Sequence, residues 1–349
     1  MFSLLRKKSS FGFVMLLTIY LLAAPESFAR ASQQHAATPV SEIVVWTYDS
    51  FTSEWGPGPE ISGRFEEASG IHVRWVVHGD AGEVLARLLL EGVDADADVV
   101  LGLDQNMAAR ALRSGLLEAY KPVGADKLFP ESIFDASYRM IPFDYSYFAV
   151  IYDSERIVQP PTSLEALCAP EYERSLILMD PRTSSPGLGF LAWTKAAYGS
   201  GWKDYWGRLA PSILTIADGW SSGYGLFTAG EAPLVLSYTT SPGYHVEYED
   251  TERFKAALFD AGHPIQVETA SLVAAGKHKE NAKKFLDFML TPAFQETIPL
   301  GNWMYPVIDI PLPDSFRVNP KSDTPLWPEA PSDAELSEWA VFMAERLER

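Results

Sequence analysis

The sequence predicts an α/β protein of two lobes, each a mostly parallel β-sheet flanked by helices, with a ligand cleft between the lobes. Three observations support this fold class. Apolar β-rich segments alternate with amphipathic helical segments, which is the pattern of βαβ units. The alternation occurs in two runs, and 349 residues suit about two domains. A composition of 47% hydrophobic and 21% charged residues is typical of a globular chain.

The first run of alternating segments begins at residue 42. It predicts strands at 42–48, 71–77 and 98–103, and helices at 61–69, 83–91 and 105–114. Gly70, Gly92 and Gly115 directly follow the three helical segments, where glycine commonly ends a helix. Asp104 follows the third strand and is expected to cap the third helix.

The second run begins at residue 148 and has the same pattern. It predicts strands at 148–152, 175–179, 213–217 and 234–238, further β-structure at 255–259 and 265–274, and helices at 164–167, 186–198, 203–209 and 280–290. Ser163 is expected to cap the first of these helices. Residues 311–333 are rich in proline and predicted to be irregular, and Asp333 is expected to cap a last helix at 334–348.

We expect the chain to cross between the lobes near residues 143–147 and to return near 266–271, because both are extended stretches at the joins. The predicted domains are a signal peptide (1–29), a linker (30–41), a first lobe (42–142 plus about 270–310), a second lobe (143–269) and a C-terminal tail and helix (311–349). Ligands in such proteins lie between domains and beyond the carboxyl ends of strands, so the loops after the strands are the candidate site.

The first 29 residues have the parts of a secretory signal peptide. Basic residues at 6–8 precede an apolar stretch at 11–24 that is too short to span a bilayer comfortably. Small residues then offer cleavage after Ala29 or Ala31. We therefore expect a periplasmic protein that is not inserted in the membrane after cleavage.

Charge and composition exclude several classes of function. The formal net charge is −18, from 28 basic and 46 acidic residues, which argues against a nucleic-acid partner. The single cysteine, Cys168, rules out an intramolecular disulfide and a cysteine-based zinc or redox motif. The six histidines are scattered, so we expect neither a metal nor a cofactor. The aromatic content of 13% either fills a core or stacks against a flat ligand.

Two kinds of side chain recur in the loops after the strands. The first kind is hydroxyl-bearing, at Ser184, Ser185, Ser221, Ser222, Thr239, Thr240 and Ser241. The second is aromatic, at Tyr48, Trp220, Tyr238, Tyr244 and Trp303. Hydroxyls and free N–H groups at helix starts bind anions or polar oxygens, and aromatic faces hold flat or cationic rings at roughly 0.5–2 kcal/mol each. Each loop alone also fits ordinary capping or core packing; several together favour a binding site. Asp49 and Asp80 could each offset a ligand cation.

A serine hydrolase is the alternative from another class. Residues 219–223 match the GxSxG pattern after a strand, and Ser221, Asp260 and His263 keep the order of a hydrolase triad. However, His263 follows Asp260 closely, with no helix between them, and no oxyanion loop is found upstream. We therefore expect a protein that is not an enzyme.

The loop sequences resemble those of the periplasmic thiamine-binding proteins of ABC importers. The matching segments are TYDSFTSEWGPGP (47–59), ADVVLGLD (97–104), PFDYSYFAVIYD (142–153), DPRTSSPGLGFLAW (180–193), GWSSGYGLF (219–227), LVLSYTTSPGYH (234–245) and GNWMYPV (301–307). They span most of the chain from 42 to 307, whereas the C-terminal tail matches poorly. The resemblance implies a type 2 periplasmic-binding-protein fold, in the cluster that includes ferric-binding proteins, closing on thiamine or its phosphates.

The resemblance also implies ligand-binding residues. Aromatic stacking falls to Tyr48, Trp220 and Trp303, with Tyr244 in the same set. The polar end is lined by Ser184, Ser185, Tyr238, Thr239, Thr240 and Ser241. An acidic–glycine pair of the family aligns with Asp80 and Ala81, and the alanine is a departure that puts this contact in doubt.

By resemblance, the protein captures thiamine and its phosphates, catalyses nothing, and delivers the ligand to an inner-membrane ABC permease with its cytoplasmic ATPase. Alternative ligands for the same fold are ferric iron or another phosphorylated metabolite. Related iron binders use adjacent tyrosines, and this sequence has no Tyr-Tyr pair.

Overall fold

The computed structural model describes residues 41–322 and 324–347. The predicted signal peptide and all but the last residue of the predicted linker lie outside the described residues. Within the described part, no helix combines the length and the apolar character needed to cross a membrane.

Twelve strands within the described residues form one continuous curled sheet. They are β1 (Glu42–Thr47), β2 (His72–Val77), β3 (Val99–Asp104), β4 (Leu117–Glu118), β5 (Ile141–Asp153), β6 (Leu176–Met179), β7 (Ile213–Ala217), β8 (Leu234–Tyr238), β9 (Phe254–Ala257), β10 (His263–Val273), β11 (Tyr305–Pro306) and β12 (Pro325–Leu326).

The described residues also form twelve α-helices, which cover the sheet and connect its strands. They are α1 (Asp49–Thr52), α2 (Gly58–Ser69), α3 (Ala81–Glu91), α4 (Ala108–Arg113), α5 (Ser185–Tyr198), α6 (Trp202–Leu209), α7 (Trp220–Thr228), α8 (Ser241–Glu249), α9 (Lys279–Phe288), α10 (Pro292–Gln295), α11 (Ile298–Gly301) and α12 (Asp333–Leu347).

The main strand order is β2-β1-β3-β10-β5-β8-β6-β7. The strands at both ends of this order pair in parallel, as βαβ units require, whereas β10 and β5 run antiparallel to their neighbours. The βαβ pattern therefore predicted the outer strands of each lobe correctly, and the centre of the sheet is mixed.

Strands β5 and β10 are the longest strands in the described residues and lie at the centre of the sheet. The first half of β5 pairs with β10, and its second half, from Phe148 onward, pairs with β8. All eleven residues of β10 are buried. We propose that the chain crosses between the lobes on these two strands, where the sequence places the crossings at 143–147 and 266–271.

The core on both faces of the sheet is formed by apolar side chains that recur along each helix at the spacing of a helical turn. Helix α3 buries Val84, Leu85 and Leu88, which share one face because Leu88 lies about one turn after the other two. On α2, the ring of Phe65 packs edge-on against Phe285 of α9, with the ring centres 5.2 Å apart.

Several predicted boundaries are wrong for local reasons. The third helix begins at Ala108 instead of 105, because the Asp104 carboxylate accepts the N–H groups of Asn106 and Met107 in a turn. The predicted helix at 164–167 is only a 3₁₀ turn at Ala166–Cys168.

At the last helix, the capping residue is Ser332 and not Asp333. The Ser332 N–H donates to Glu335 Oε2 (2.8 Å) and the Glu335 N–H donates to Ser332 Oγ (3.3 Å), which is a capping box. The tail predicted as irregular contains a 3₁₀ turn at Asp314–Val318 and the short strand β12.

Gly102 is a bulged residue in β3 that makes room for Tyr48. The pairing with β10 skips it, and its φ of 107° lies in the region that favours glycine. A Cβ atom at this position would overlap the ring of Tyr48. The absence of a side chain therefore lets the Tyr48 ring lie directly on the strand.

We expect Gly102→Ala to lower the free energy of unfolding by about 1–3 kcal/mol, because it adds both backbone strain and a steric clash. Urea unfolding measures this change. Gly63→Ala is the matched control: Gly63 is exposed in α2 with open space around its Cα, so alanine should stabilise by up to about 1 kcal/mol. Equal stabilities for the two variants would contradict the assignment.

Candidate functional site

A cavity of about 390 Å³ lies where strand ends and helix starts from both lobes converge. Residues after β1 and at the start of α3 contribute one side, and the first turns of α5, α7 and α8 contribute the other. Glu268, in the middle of β10, forms part of its floor. The cavity therefore lies at the carboxyl ends of the parallel strands, the expected position for a ligand in an α/β protein.

Eight of the twelve sequence-predicted site residues line this cavity: Tyr48, Asp80, Ser185, Trp220, Tyr238, Ser241, Tyr244 and Trp303. The structure thus brings together residues that are up to 255 positions apart in the sequence.

The other four predicted residues, Ala81, Ser184, Thr239 and Thr240, are buried outside the cavity lining. The Ala81 N–H donates to Asp80 Oδ1 (2.6 Å), and the Thr240 hydroxyl bonds to that of Ser146 (2.9 Å). The hydroxyl oxygens of Ser184 and Thr239 are buried without a hydrogen-bond partner in the described residues. Direct ligand contact at all four positions stays a prediction.

Trp220 forms one aromatic wall. Its ring stacks on Tyr224 with the centres 4.9 Å apart and an angle of 18° between the planes. The indole N–H donates to Ser237 Oγ (2.8 Å), and Ser237 is bonded in turn to Ser241 (2.8 Å). Trp55 approaches Trp220 at 6.3 Å. Because one face and the indole N–H are both fixed, the ring has a defined orientation.

Trp303 forms a second aromatic wall. It stacks on Phe316 (5.9 Å, 14°) and meets Tyr244 edge-on (5.5 Å, 85°). Its backbone has a φ of 56°, which is strained for a non-glycine residue and costs of the order of 1–3 kcal/mol. Strain of this kind persists only where packing on several sides determines the conformation.

Two carboxylates connect the two sides of the cavity. The Trp220 N–H at the start of α7 donates to Asp80 Oδ2 (2.9 Å), and the Ser221 hydroxyl donates to Asp49 Oδ1 (2.8 Å). A carboxylate at a helix N-terminus is favourable because the free N–H groups there carry partial positive charge. These contacts hold the first turn of α7 against the loops that follow β1 and β2.

A group of hydrogen-bonded polar side chains forms the floor. Glu268 on β10 lies directly opposite Asp144 on β5 in the antiparallel register. The Asn302 amide N–H₂ donates to Asp144 Oδ2 (2.6 Å) and lies 3.2 Å from Glu268 Oε2. The Tyr48 hydroxyl donates to the same Glu268 oxygen (2.7 Å). Tyr48 thus connects the aromatic lining to the acidic floor.

The floor has strongly perturbed acidity. Burial, reinforced by the charge of Asp144, raises the pKa of Glu268 well above its usual range, and burial does the same to the pKa of Asp144. Burial also raises the pKa of nearby Asp104 to about 7 and raises that of Asp80. The environment therefore disfavours negative charge on all four carboxyl groups.

The cavity lining contains four acids, Asp49, Asp80, Glu249 and Glu268, and, among the residues the structure describes, no Lys, Arg or His. A ligand that brings positive charge would favour the ionised form of Glu268, whose pKa burial raises. The walls offer aromatic faces and the floor offers carboxyl groups, so the site suits a flat cation.

Sequence reasoning missed the residues that complete the floor and the tyrosine that supports the Trp220 wall. Glu268 lies in a segment whose sequence is typical of a buried strand. An acidic residue within such an apolar segment is unusual, and this could have identified Glu268 as a functional candidate. Asn302 stands beside the predicted Trp303, and Tyr224 lies one turn after the predicted Trp220. Asp144 can be assigned to the floor only from the strand register, which places it opposite Glu268.

The structure contradicts the hydrolase alternative. The hydroxyl of Ser221 is bonded to Asp49. The ring of His263 lies between the Phe148 carbonyl (2.8 Å) and the Phe259 N–H (2.8 Å), so both its nitrogens are engaged with backbone. His263 is a buried structural residue and does not form a triad with Ser221.

A sheet with parallel ends, two long joining strands and a cleft lined from both lobes is the architecture of a type 2 periplasmic binding protein. Comparison with solved structures agrees. A periplasmic thiamin binding protein superposes with a TM-score of 0.80 at 41% identity, covering 88% of this chain and 95% of that one. A ferric binding protein from Campylobacter jejuni superposes with a TM-score of 0.71 at 20% identity, covering 88% and 97%, which concerns the fold alone.

Sequence comparison narrows the class. The family model described as bacterial extracellular solute-binding protein matches residues 55–296. Thiamine-binding periplasmic proteins of Escherichia coli and Brucella abortus are 44% and 43% identical to the chain over 308 residues each, covering 87% and 86% of this chain and 93% and 90% of theirs. The chain therefore belongs to the bacterial extracellular solute-binding proteins, in the group of thiamine-binding periplasmic proteins.

We expect the stability of the ligand-free protein to fall as pH rises from about 5 to 8. A carboxyl group with a raised pKa binds a proton in the folded state that the unfolded state has lost, so unfolding becomes easier by up to about 1.4 kcal/mol per pH unit for one full proton. Asp144→Asn should weaken this dependence and make the ligand-free protein more stable than wild type at pH 8.

Urea unfolding at several pH values measures this effect. Asp309→Asn, at an exposed aspartate, is the matched control and should retain the wild-type slope. A wild-type slope in Asp144→Asn would mean that this carboxyl group does not hold the extra proton.

Proposed function

We propose that the protein captures thiamine in the periplasm and holds it between the Trp220 and Trp303 walls, above the Glu268 floor. The observation that carries this proposal is the combination of aromatic walls with a buried acidic floor in one cavity. The relatives named for thiamine binding support the same ligand.

The chemistry of thiamine matches the cavity part by part. Its thiazolium ring is a flat cation, for which an aromatic face contributes about 0.5–2 kcal/mol. Its aminopyrimidine is flat and carries hydrogen-bonding nitrogens that suit carboxyl and amide groups such as Glu268 and Asn302. The volume of about 390 Å³ falls in the range of small-molecule sites.

The phosphorylated forms of thiamine belong to the same proposal. Ser185 is the first residue of α5, lines the cavity and accepts a hydrogen bond from the Gln266 amide (3.2 Å). Free N–H groups and a hydroxyl at the start of a 14-residue helix form a suitable position for a phosphate. Ligand titrations should therefore include thiamine monophosphate and diphosphate.

We expect Trp220→Ala to weaken thiamine binding at least tenfold, because one stacking wall is lost together with the support it gives to Tyr224. Quenching of tryptophan fluorescence during a titration with thiamine measures the affinity. Trp327→Ala is the control, because Trp327 is 48% exposed and does not line the cavity.

Two results would contradict the proposal: a wild-type protein whose fluorescence and heat do not respond to thiamine, or a Trp220→Ala variant that binds as tightly as Trp327→Ala. Circular dichroism and the melting temperature of the variants separate a binding defect from misfolding.

As a carrier, the protein would perform no chemistry on its ligand and would deliver it to an inner-membrane ABC permease with its cytoplasmic ATPase. The membership of the solute-binding family supports this role. We expect the thiamine-loaded protein to stimulate ATP hydrolysis by the reconstituted transporter, and Trp220→Ala to require more thiamine for the same rate. A rate of ATP hydrolysis that does not change when the thiamine-loaded protein is added would refute this step.

A further inference from the structure

We propose that Asp144 and Glu268 share one proton in the empty cleft and release it to water when the cationic ligand binds. The O–H bond of one carboxyl group ionises, and the positive charge of the ligand replaces that of the proton. This inference rests on the proposed function, since it concerns how the same cleft recognises the charge of its ligand.

The first argument is strand geometry. Glu268 and Asp144 are directly opposite each other on antiparallel strands, so their Cβ atoms lie about 4.5–5.5 Å apart on the same face of the sheet. Like charges placed directly opposite destabilise a strand pair. Glu268 is 4% exposed and Asp144 is fully buried, so water cannot screen two negative charges at this position.

The second argument is the kind of hydrogen-bond donor that surrounds the pair. The Asn302 N–H₂ and the Tyr48 hydroxyl approach Asp144 Oδ2 and Glu268 Oε2. The Gln266 amide lies 3.4 Å from Glu268 Oε1. These donors are neutral, and Asp144 Oδ1 is buried without a hydrogen-bond partner in the described residues. Neutral donors orient the pair without neutralising it.

The third argument concerns the titratable side chains on the strands and helices that surround Asp144 and Glu268. Asp104 on β3 and Asp80 at the start of α3 both act on Glu268 and both raise its pKa. Tyr48 after β1 and Tyr238 at the end of β8 face the same floor, and burial raises both their pKa values. In the described ranges, 41–322 and 324–347, no ion pair joins Asp144 or Glu268 to a Lys, Arg or His.

The other three acids that line the cavity already have hydrogen-bond partners. Asp80 accepts the N–H groups of Ala81 and Trp220, Asp49 accepts the Ser221 hydroxyl, and Glu249 Oε2 lies 2.8 Å from His245 Nδ1. The Asp144–Glu268 pair is therefore the acidic group that gains most from an incoming cation. Glu268, which lines the cavity, is the member that meets the ligand.

Isothermal titration calorimetry tests the proposal. Wild-type protein is titrated with thiamine at pH 6.5 in two buffers of equal ionic strength but different heats of ionisation, and fluorescence quenching verifies binding independently. The difference in heat gives the protons released, and we expect about one per ligand. Affinity should rise with pH, up to about tenfold per unit where one full proton leaves.

Three comparisons locate the source of the proton. An analogue with the same aminopyrimidine but a neutral thiophene in place of the thiazolium should release almost none. Glu268→Gln should bind thiamine more weakly and release less than about half as many protons as wild type. Glu67→Gln, an exposed change on α2, should release as many as wild type.

Each outcome decides a separate question. Thiamine binding with heats that do not depend on the buffer overturns the shared proton but leaves the proposed function standing. Undiminished release with the neutral analogue or from Glu268→Gln also overturns it. No binding of thiamine by folded wild-type protein overturns the proposed function, and this inference with it. If Glu268→Gln does not fold, Asp144→Asn takes its place with the same expected loss of proton release.

Discussion

The antiparallel pairing of β5 with β10 is the interaction on which the rest of the structure depends. These two strands form the centre of the sheet, and their outer neighbours extend the sheet in either direction. The register of the same pairing also places Asp144 opposite Glu268. The most buried part of the scaffold and the charged floor of the cleft are therefore consequences of one alignment of two strands.

Two of the aromatic rings that line the cleft, those of Trp220 and Tyr48, depend on a different kind of constraint, because polar contacts at the edge of each ring fix its position. Trp220 is held by Ser237 through its indole nitrogen and by Asp80 through its backbone. Tyr48 is held by Glu268, and Gly102 gives its ring the space to lie flat. Fixed rings present a defined face, so less side-chain entropy is lost when a ligand stacks on them.

The sequence predicted the parts of this molecule that depend on local patterns. Alternating β-rich and amphipathic segments predicted the outer strands and most helices, and the position of Tyr48 and Trp220 at the carboxyl ends of strands was the basis for placing them in the cleft. The floor was not predictable in the same way, because Glu268 and Asp144 are 124 residues apart and only the strand register brings them together. The late start of α4 was missed because a turn at Asp104 and a helix cap use the same residue type.

The C-terminal segment, predicted from the sequence as a tail and a helix, supports the cleft from behind. Phe316 stacks on Trp303, and Asn319 Oδ1 accepts the N–H of Gly243 in the first turn of α8. Further on, Trp339 packs edge-on against Trp206. The back wall of the site is thus completed by residues that follow all the predicted site loops in the sequence. A folding intermediate in which Phe316 and Asn319 are not yet in place therefore lacks a finished back wall.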